Sequence, residues 1–162
     1  MPVHRRTLIV GAITLLAMVA LIYAGANLQQ WRTDYTQGHA QACGALHYAA
    51  GRLMTTTTEA QAAEGCFAHA FSDCHAATLS ASVMGVDTGA TDTFFVEPPL
   101  GPFGSCQIVL TVSHWGLVPI ANHTETMTCQ TITRTPGQLS VSGCGTLGTV
   151  TLPATQGAPS AG

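Results

Sequence analysis

Hydrophobic and polar positions fall into three regimes along the chain. Residues 8–26, LIVGAITLLAMVALIYAGA, are apolar and carry no charge. As a helix this run would span about 28 Å, close to the thickness of a bilayer's hydrocarbon core, and it predicts a transmembrane helix over 8–26. His4, Arg5 and Arg6 stand just before it. By the positive-inside rule, residues 1–7 are expected in the cytoplasm and everything after Ala26 outside, at the cell membrane. Tyr23 and Trp31 suit the headgroup layer at the outer end. A basic start, an apolar run and the small residues Ala24, Gly25 and Ala26 also describe a cleavable leader, which would release a secreted form after Ala26. The run exceeds the roughly 7 to 15 residues of a leader core, so a retained signal anchor is the expectation. Both readings export the domain.

The second regime, residues 27–42, is polar and has no clear period, which predicts a stalk. From Cys43 to about residue 152 the pattern is that of one folded domain. Thr56 with Glu59 three positions on is a capping-box signal. Ala60, Ala63, Phe67, Ala70, Phe71 and Cys74 then recur every three or four residues, which predicts an amphipathic helix weakened by Gly65. After Cys74 the period becomes alternating. Leu79, Ala81 and Val83 share one face, a DTGA turn follows, and TDTFFVE returns, so residues 77–97 read as a hairpin ended by Pro98 and Pro99. Ile108, Leu110 and Val112 continue from Cys106 as a half-buried strand, with Val109 and Trp115 as exceptions to the alternation. Residues 124–134 and 138–143 give two more strands, and GTVTLP adds a short sixth. The tail, residues 153–162, is small and polar with nothing to bury, which predicts disorder. The expected architecture is α+β: a helix on a single antiparallel sheet of about five strands.

Charge narrows the functional classes. Beyond Ala26 the only cations are Arg32, Arg52 and Arg134, against eight Asp and Glu, and the chain has no lysine. No basic surface for nucleic acid can be assembled from three arginines. The expected partners are therefore the lipid bilayer, through the N-terminal segment, and an unknown protein or small molecule. The six cysteines, Cys43, Cys66, Cys74, Cys106, Cys129 and Cys144, all lie on the exported side, where an even count means disulfides. Three bridges allow fifteen connectivities. Cys129 and Cys144 are symmetric about Pro136 and Gly137, so a tight hairpin there would set them opposite one another. However, Pro-Gly favours a type II turn whereas tight hairpins prefer the primed types, and a longer loop would shift the register.

The stretch GCFAHAFSDCH, residues 65–75, carries the densest chemistry. Cys66, His69, Cys74 and His75 are ligand types for zinc, yet eight residues of helix separate the two cysteines by about 12 Å, too far to share one ion. The same distance argues against a Cys66–Cys74 bridge. Stapling is the expected role, with no metal and no cofactor. The Cys74-His75 dipeptide lacks the earlier cysteine of a haem attachment motif, and no Cys-x-x-Cys supports thiol exchange. His69, His114 or His123 paired with an acid would be the raw material of a small exported hydrolase, but no nucleophile motif stands beside them. Asp87-Thr88-Gly89 reads as a turn rather than half of a carboxylate dyad. The reading is a non-enzymatic, membrane-anchored extracytoplasmic binding or interaction module, with the hydrolase as the alternative.

Two resemblances bear on this. One helix with a curved antiparallel sheet resembles the cystatin-like and NTF2-like folds, a likeness of architecture that implies no activity. The order of motifs is similar to that of a group of uncharacterised single-pass or secreted bacterial proteins. It is carried by ACG at Cys43, CFAHAFSDCHAATL from Cys66 to Leu79, GVDTG from Gly85, GSC at Cys106, TC at Cys129 and SGCG around Cys144. That resemblance implies an anchored or exported six-cysteine domain and no catalytic residue.

Overall fold

The computed structural model describes residues 15–25, 38–99, 104–117, 122–154 and 160–161. The chain divides into two units, Met1–Gly38 and His39–Gly162. In the first, residues 15–25 form helix α1, whose large apolar side chains are exposed. Among the described residues no helix is long and apolar enough to cross a membrane, which corrects the expectation of a transmembrane helix. Residues 8–14 and 26 of that expected span, and 27–37 of the expected stalk, lie outside the described residues.

The second unit is built mostly of strands: β1 (Gln41–Ala49), β2 (Arg52–Leu53), β3 (Ala77–Met84), β4 (Thr88–Glu97), β5 (Gln107–Gly116), β6 (His123–Cys129), β7 (Thr131–Thr135), β8 (Gln138–Cys144), β9 (Gly148–Pro153) and β10 (Ser160–Ala161). Its helix, α2, spans Thr57–Ser72. The single antiparallel sheet expected from the sequence is replaced by two sheets. One has six strands in the order β2-β1-β3-β4-β5-β6, and the other four in the order β10-β9-β8-β7. Two features cause the difference. Residues 41–49 form a strand, where the sequence placed 41–42 in the stalk and marked no element over 43–49, and β1 pairs parallel to β3 with α2 in the connection between them. The run 124–134 is broken after Cys129: up to that residue it pairs with β5, and from Thr131 it pairs with β8 in the other sheet. The tail expected to be disordered contributes a buried Ala154, whose N–H donates to Gly137 O at 2.8 Å, and β10, which pairs with β9. Residues 155–159 and 162 lie outside the described residues.

Local chemistry explains α2. Thr56 Oγ1 accepts from Glu59 N and Thr56 N donates to Glu59 Oε2, each at 3.3 Å, so the capping box forms and is worth about 1 kcal/mol. At the other end Cys74 takes φ +57°, a conformation usually left to glycine. His75 N donates to Ala70 O and Cys74 N to Phe71 O, a Schellman stop that satisfies the last carbonyls. Ala60, Ala63, Phe67 and Ala70 are buried as the periodicity predicts, and Phe67 meets Phe94 edge to face at 6.2 Å.

The rungs of the six-stranded sheet define its helix side. Ala77, Val96, Ile108 and Cys129 form one rung, and Leu79, Phe94, Leu110 and Met127 the next. In the second sheet Leu139, Val141, Val150 and Leu152 are buried and join the same core, and Tyr48 Oη donates to Pro153 O at 2.9 Å across it. The β7–β8 hairpin turns on Pro136 and Gly137 alone, with Gly137 at φ +82° as a type II turn needs, and Thr135 stands opposite Gln138.

Glu64 is the one charged residue type buried in this core among the described residues. It is 0% exposed, and neither carboxylate oxygen has a hydrogen-bond partner. Arg134 comes nearest to compensating: its Nη2 donates to Gln61 O at 3.1 Å and its guanidinium lies against Gly65, whose missing side chain makes room for it. Burial raises the Glu64 carboxyl from 4.5 to about 7, with the Arg134 charge pulling the other way. Burial first and the Glu64 charge second raise the Tyr48 hydroxyl as well. The folded protein keeps the Glu64 proton up to about pH 7, whereas the unfolded chain releases it near 4.5. The stabilisation is therefore full below about pH 4.5 and is lost as pH rises through about 7, a change on the order of 3 kcal/mol. Glu64→Gln should raise the melting temperature at pH 8 and leave it nearly unchanged at pH 5. Parallel melting curves for the two proteins across that range would contradict this assignment.

Candidate functional site

The stretch 65–75 resolves into staples. Cys66 on α2 bonds to Cys43 on β1, and Cys74 at the helix stop bonds to Cys106 just before β5. The third pair, Cys129–Cys144, is the one the hairpin symmetry suggested. His69 lies 3.4 Å from Asp73 on an exposed turn of α2, and His75 is exposed. With both cysteines oxidised, Cys66, His69, Cys74 and His75 cannot form a zinc site. Among the described residues no three His, Cys, Asp or Glu side chains are gathered for a metal ion.

All three disulfides lie toward one end of the six-stranded sheet. Cys129 pairs with Ile108, Cys106 and Cys74 precede the first residues of β5 and β3 by one and three positions, and Cys43 sits in the bulge between Ala42 and Gly44. The other end, around the β3–β4 hairpin, carries the remaining chemistry. On its helix side the last two rungs read Leu46, Ala81, Asp92, Val112, Glu125 and Tyr48, Val83, Ala90, His114, His123. The His114 and His123 rings stack 4.3 Å apart at 19°, as their opposition on neighbouring strands requires. A cavity of about 530 Å³ opens here, lined by Val83, Gly85, Thr88, Gly89, Ala90, His114, Trp115 and His123. Burial raises the Asp92 carboxyl, and His114 pulls it down. A second acid, Glu125, stands 3.8 Å from His123 Nε2 with both side chains more than half exposed. That is longer than a proton-transfer contact.

The opposite side of the same end carries a single Asp, Glu, Lys or Arg on its rungs, Arg52 at the β2 edge. Three rungs run across it: Ala45, Ser80, Thr93, Thr111, Thr126; His47, Ser82, Thr91, Ser113, Thr124; and Arg52, Ala49, Met84, Gly89, Trp115. Hydroxyls meet across strands at Thr111–Thr126, 3.4 Å, and Ser113–Thr124, 3.3 Å, and His47 Nδ1 meets Ser82 Oγ at 2.7 Å. The Trp115 indole lies over Gly89, where a Cβ would fall onto ring atoms Cζ2 and Cε2. One face of the ring is thus seated on backbone while the residue stays 44% exposed. Met84 shares its rung, and Val86 at the hairpin tip and Leu117 beyond β5 are exposed beside it. Leu117 N donates to Asp87 O, and Gly116 N to Asn122 Oδ1, which hold the end of β5 in place.

Of the sequence candidates, the structure brings His114 and His123 together and leaves His69 apart on α2. Trp115 was visible only as a break in the alternation of β5. Its position parity with Ser113 and Thr111 was the signal that it belongs to the hydroxyl side. Asp87 lies in the hairpin turn, whereas Thr88 and Gly89, also expected in the turn, open β4. The chain matches no family model, no curated protein and no solved structure.

The seating of Trp115 is directly testable. In a Trp31→Phe background, Gly89→Ala should displace the indole into water, red-shift its emission and cost about 1 to 3 kcal/mol. Unchanged emission and stability would show that the ring does not rest on Gly89.

Proposed function

We propose that the chain is an exported binding module that engages its partner with the end of the six-stranded sheet opposite the disulfides. The observation that carries the reading is the half-exposed Trp115 seated on Gly89, beside exposed Met84, Val86 and Leu117 and bordered by serine and threonine hydroxyls. An exposed apolar cluster with a polar border is the usual composition of a recognition surface, and tryptophan and methionine are enriched in such surfaces. Export is supported by the three disulfides, which persist in oxidising compartments, and by the basic start ahead of the apolar segment. Exposed Leu15, Leu16, Met18, Val19, Leu21, Ile22 and Tyr23 favour lipid as the partner of the N-terminal segment. The exposed His123–Glu125 contact, at 3.8 Å longer than a proton-transfer hydrogen bond, favours binding over hydrolysis.

Hydroxyl-radical footprinting of the full chain tests the reading. Oxidation at Trp115 and Met84 should be several-fold lower in intact cell envelopes than in detergent-purified protein, while Met54, exposed beside His47 at the far edge of the sheet from Trp115, reacts equally in both. Equal oxidation of Trp115 and Met84 in the two preparations would contradict it.

A further inference from the structure

We infer that the ligand of the Trp115 face is a neutral, extended glycan chain. The inference rests on the binding end proposed above and names the chemistry that fits it.

Three properties of the face point the same way. The first is the scarcity of charge: the one Asp, Glu, Lys or Arg on its rungs is Arg52, on β2 at the sheet edge four strands from Trp115, so docking over Trp115 and the hydroxyl rung desolvates no ion. The second is hydrogen-bonding capacity of both signs. Ser82, Thr91, Ser113 and Thr124 form one continuous rung across four strands about 4.8 Å apart. Each hydroxyl carries one donor and two acceptor positions, and the cross-strand contact between Ser113 and Thr124 uses only part of that capacity. Sugar hydroxyls present the same mixture of donors and acceptors along a chain. The third property is the indole. With Gly89 beneath it, Trp115 offers a flat apolar surface of fixed orientation, and a pyranose ring presents an apolar C–H face to such a surface while its equatorial hydroxyls point sideways. A platform next to a hydroxyl rung therefore matches a sugar ring stacked on Trp115 with the following residues of the chain laid along Ser113 and Thr91.

The experiment uses the full chain in a zwitterionic, sugar-free detergent with cellohexaose and chitohexaose as probes, read by calorimetry and by footprinting of Trp115. Saturable binding of at least one probe, with protection of Trp115, is expected. Trp115→Ala should weaken it at least tenfold, Trp115→Phe should retain part of it, and Ser113→Ala with Thr91→Ala should weaken it several-fold, all with native melting curves. A Trp115→Leu protein that binds as well as Trp115→Phe would overturn ring stacking and with it the inference. Absence of saturable binding to both probes, and of sedimentation with insoluble cellulose, chitin and isolated cell-wall glycan, would also overturn it. In that event, persistent protection of Trp115 in envelopes would leave the binding end standing with a protein as its partner, and loss of that protection would remove both.

Discussion

The placement of the three disulfides governs the rest of the domain. They close sequence separations of 23, 32 and 15 residues, each worth about 3 kcal/mol of unfolded-chain entropy, and all lie toward one end of the large sheet. Cys43–Cys66 fixes α2 against the bulged start of β1, Cys74–Cys106 ties the stop of α2 to the entry of β5, and Cys129–Cys144 holds the point where the chain leaves one sheet for the other. The opposite end needs no covalent support of its own, because β3, β4 and β5 reach it as long paired strands. A rigid base and an exposed apolar tip are then a division of labour within one sheet.

Between the two sheets the packing is less economical. Arg134 stands opposite Leu139 on the second sheet and reaches over α2, while Glu64 on α2 is buried without a hydrogen bond. A buried carboxyl of this kind destabilises the domain whenever it is ionised. The clamps at the base offset that cost. The same helix thus carries a disulfide to β1 and a buried carboxyl without a hydrogen bond, and its contact with the second sheet responds to pH.

Much of this was legible in the residues. The capping box at Thr56 and Glu59, the 77–97 hairpin, the alternation of β5 and the opposition of Cys129 and Cys144 are local patterns, and local patterns survive in sequence. Pairing between distant segments is not local. In β1 only Leu46 and Tyr48 alternate with exposed His47, too short a signal to mark a strand, and nothing in it announces a parallel partner thirty-five residues on. The break at Cys129 changes which sheet a strand joins without changing its period. Glu64 could have been found, since it lies four residues after Ala60 and three before Phe67 on the buried stripe. Gly65, read as a weakness of the helix, has its reason in Arg134 from the other sheet.

The account stands on where the sulfur atoms are joined, because that joining sets which end of the sheet is base and which is tip. Peptide mapping of the non-reduced, full-length protein by mass spectrometry reads it out. The expected cross-linked peptides join Cys43 to Cys66, Cys74 to Cys106 and Cys129 to Cys144. A peptide joining Cys66 to Cys74, or free thiols at these positions, would contradict the account.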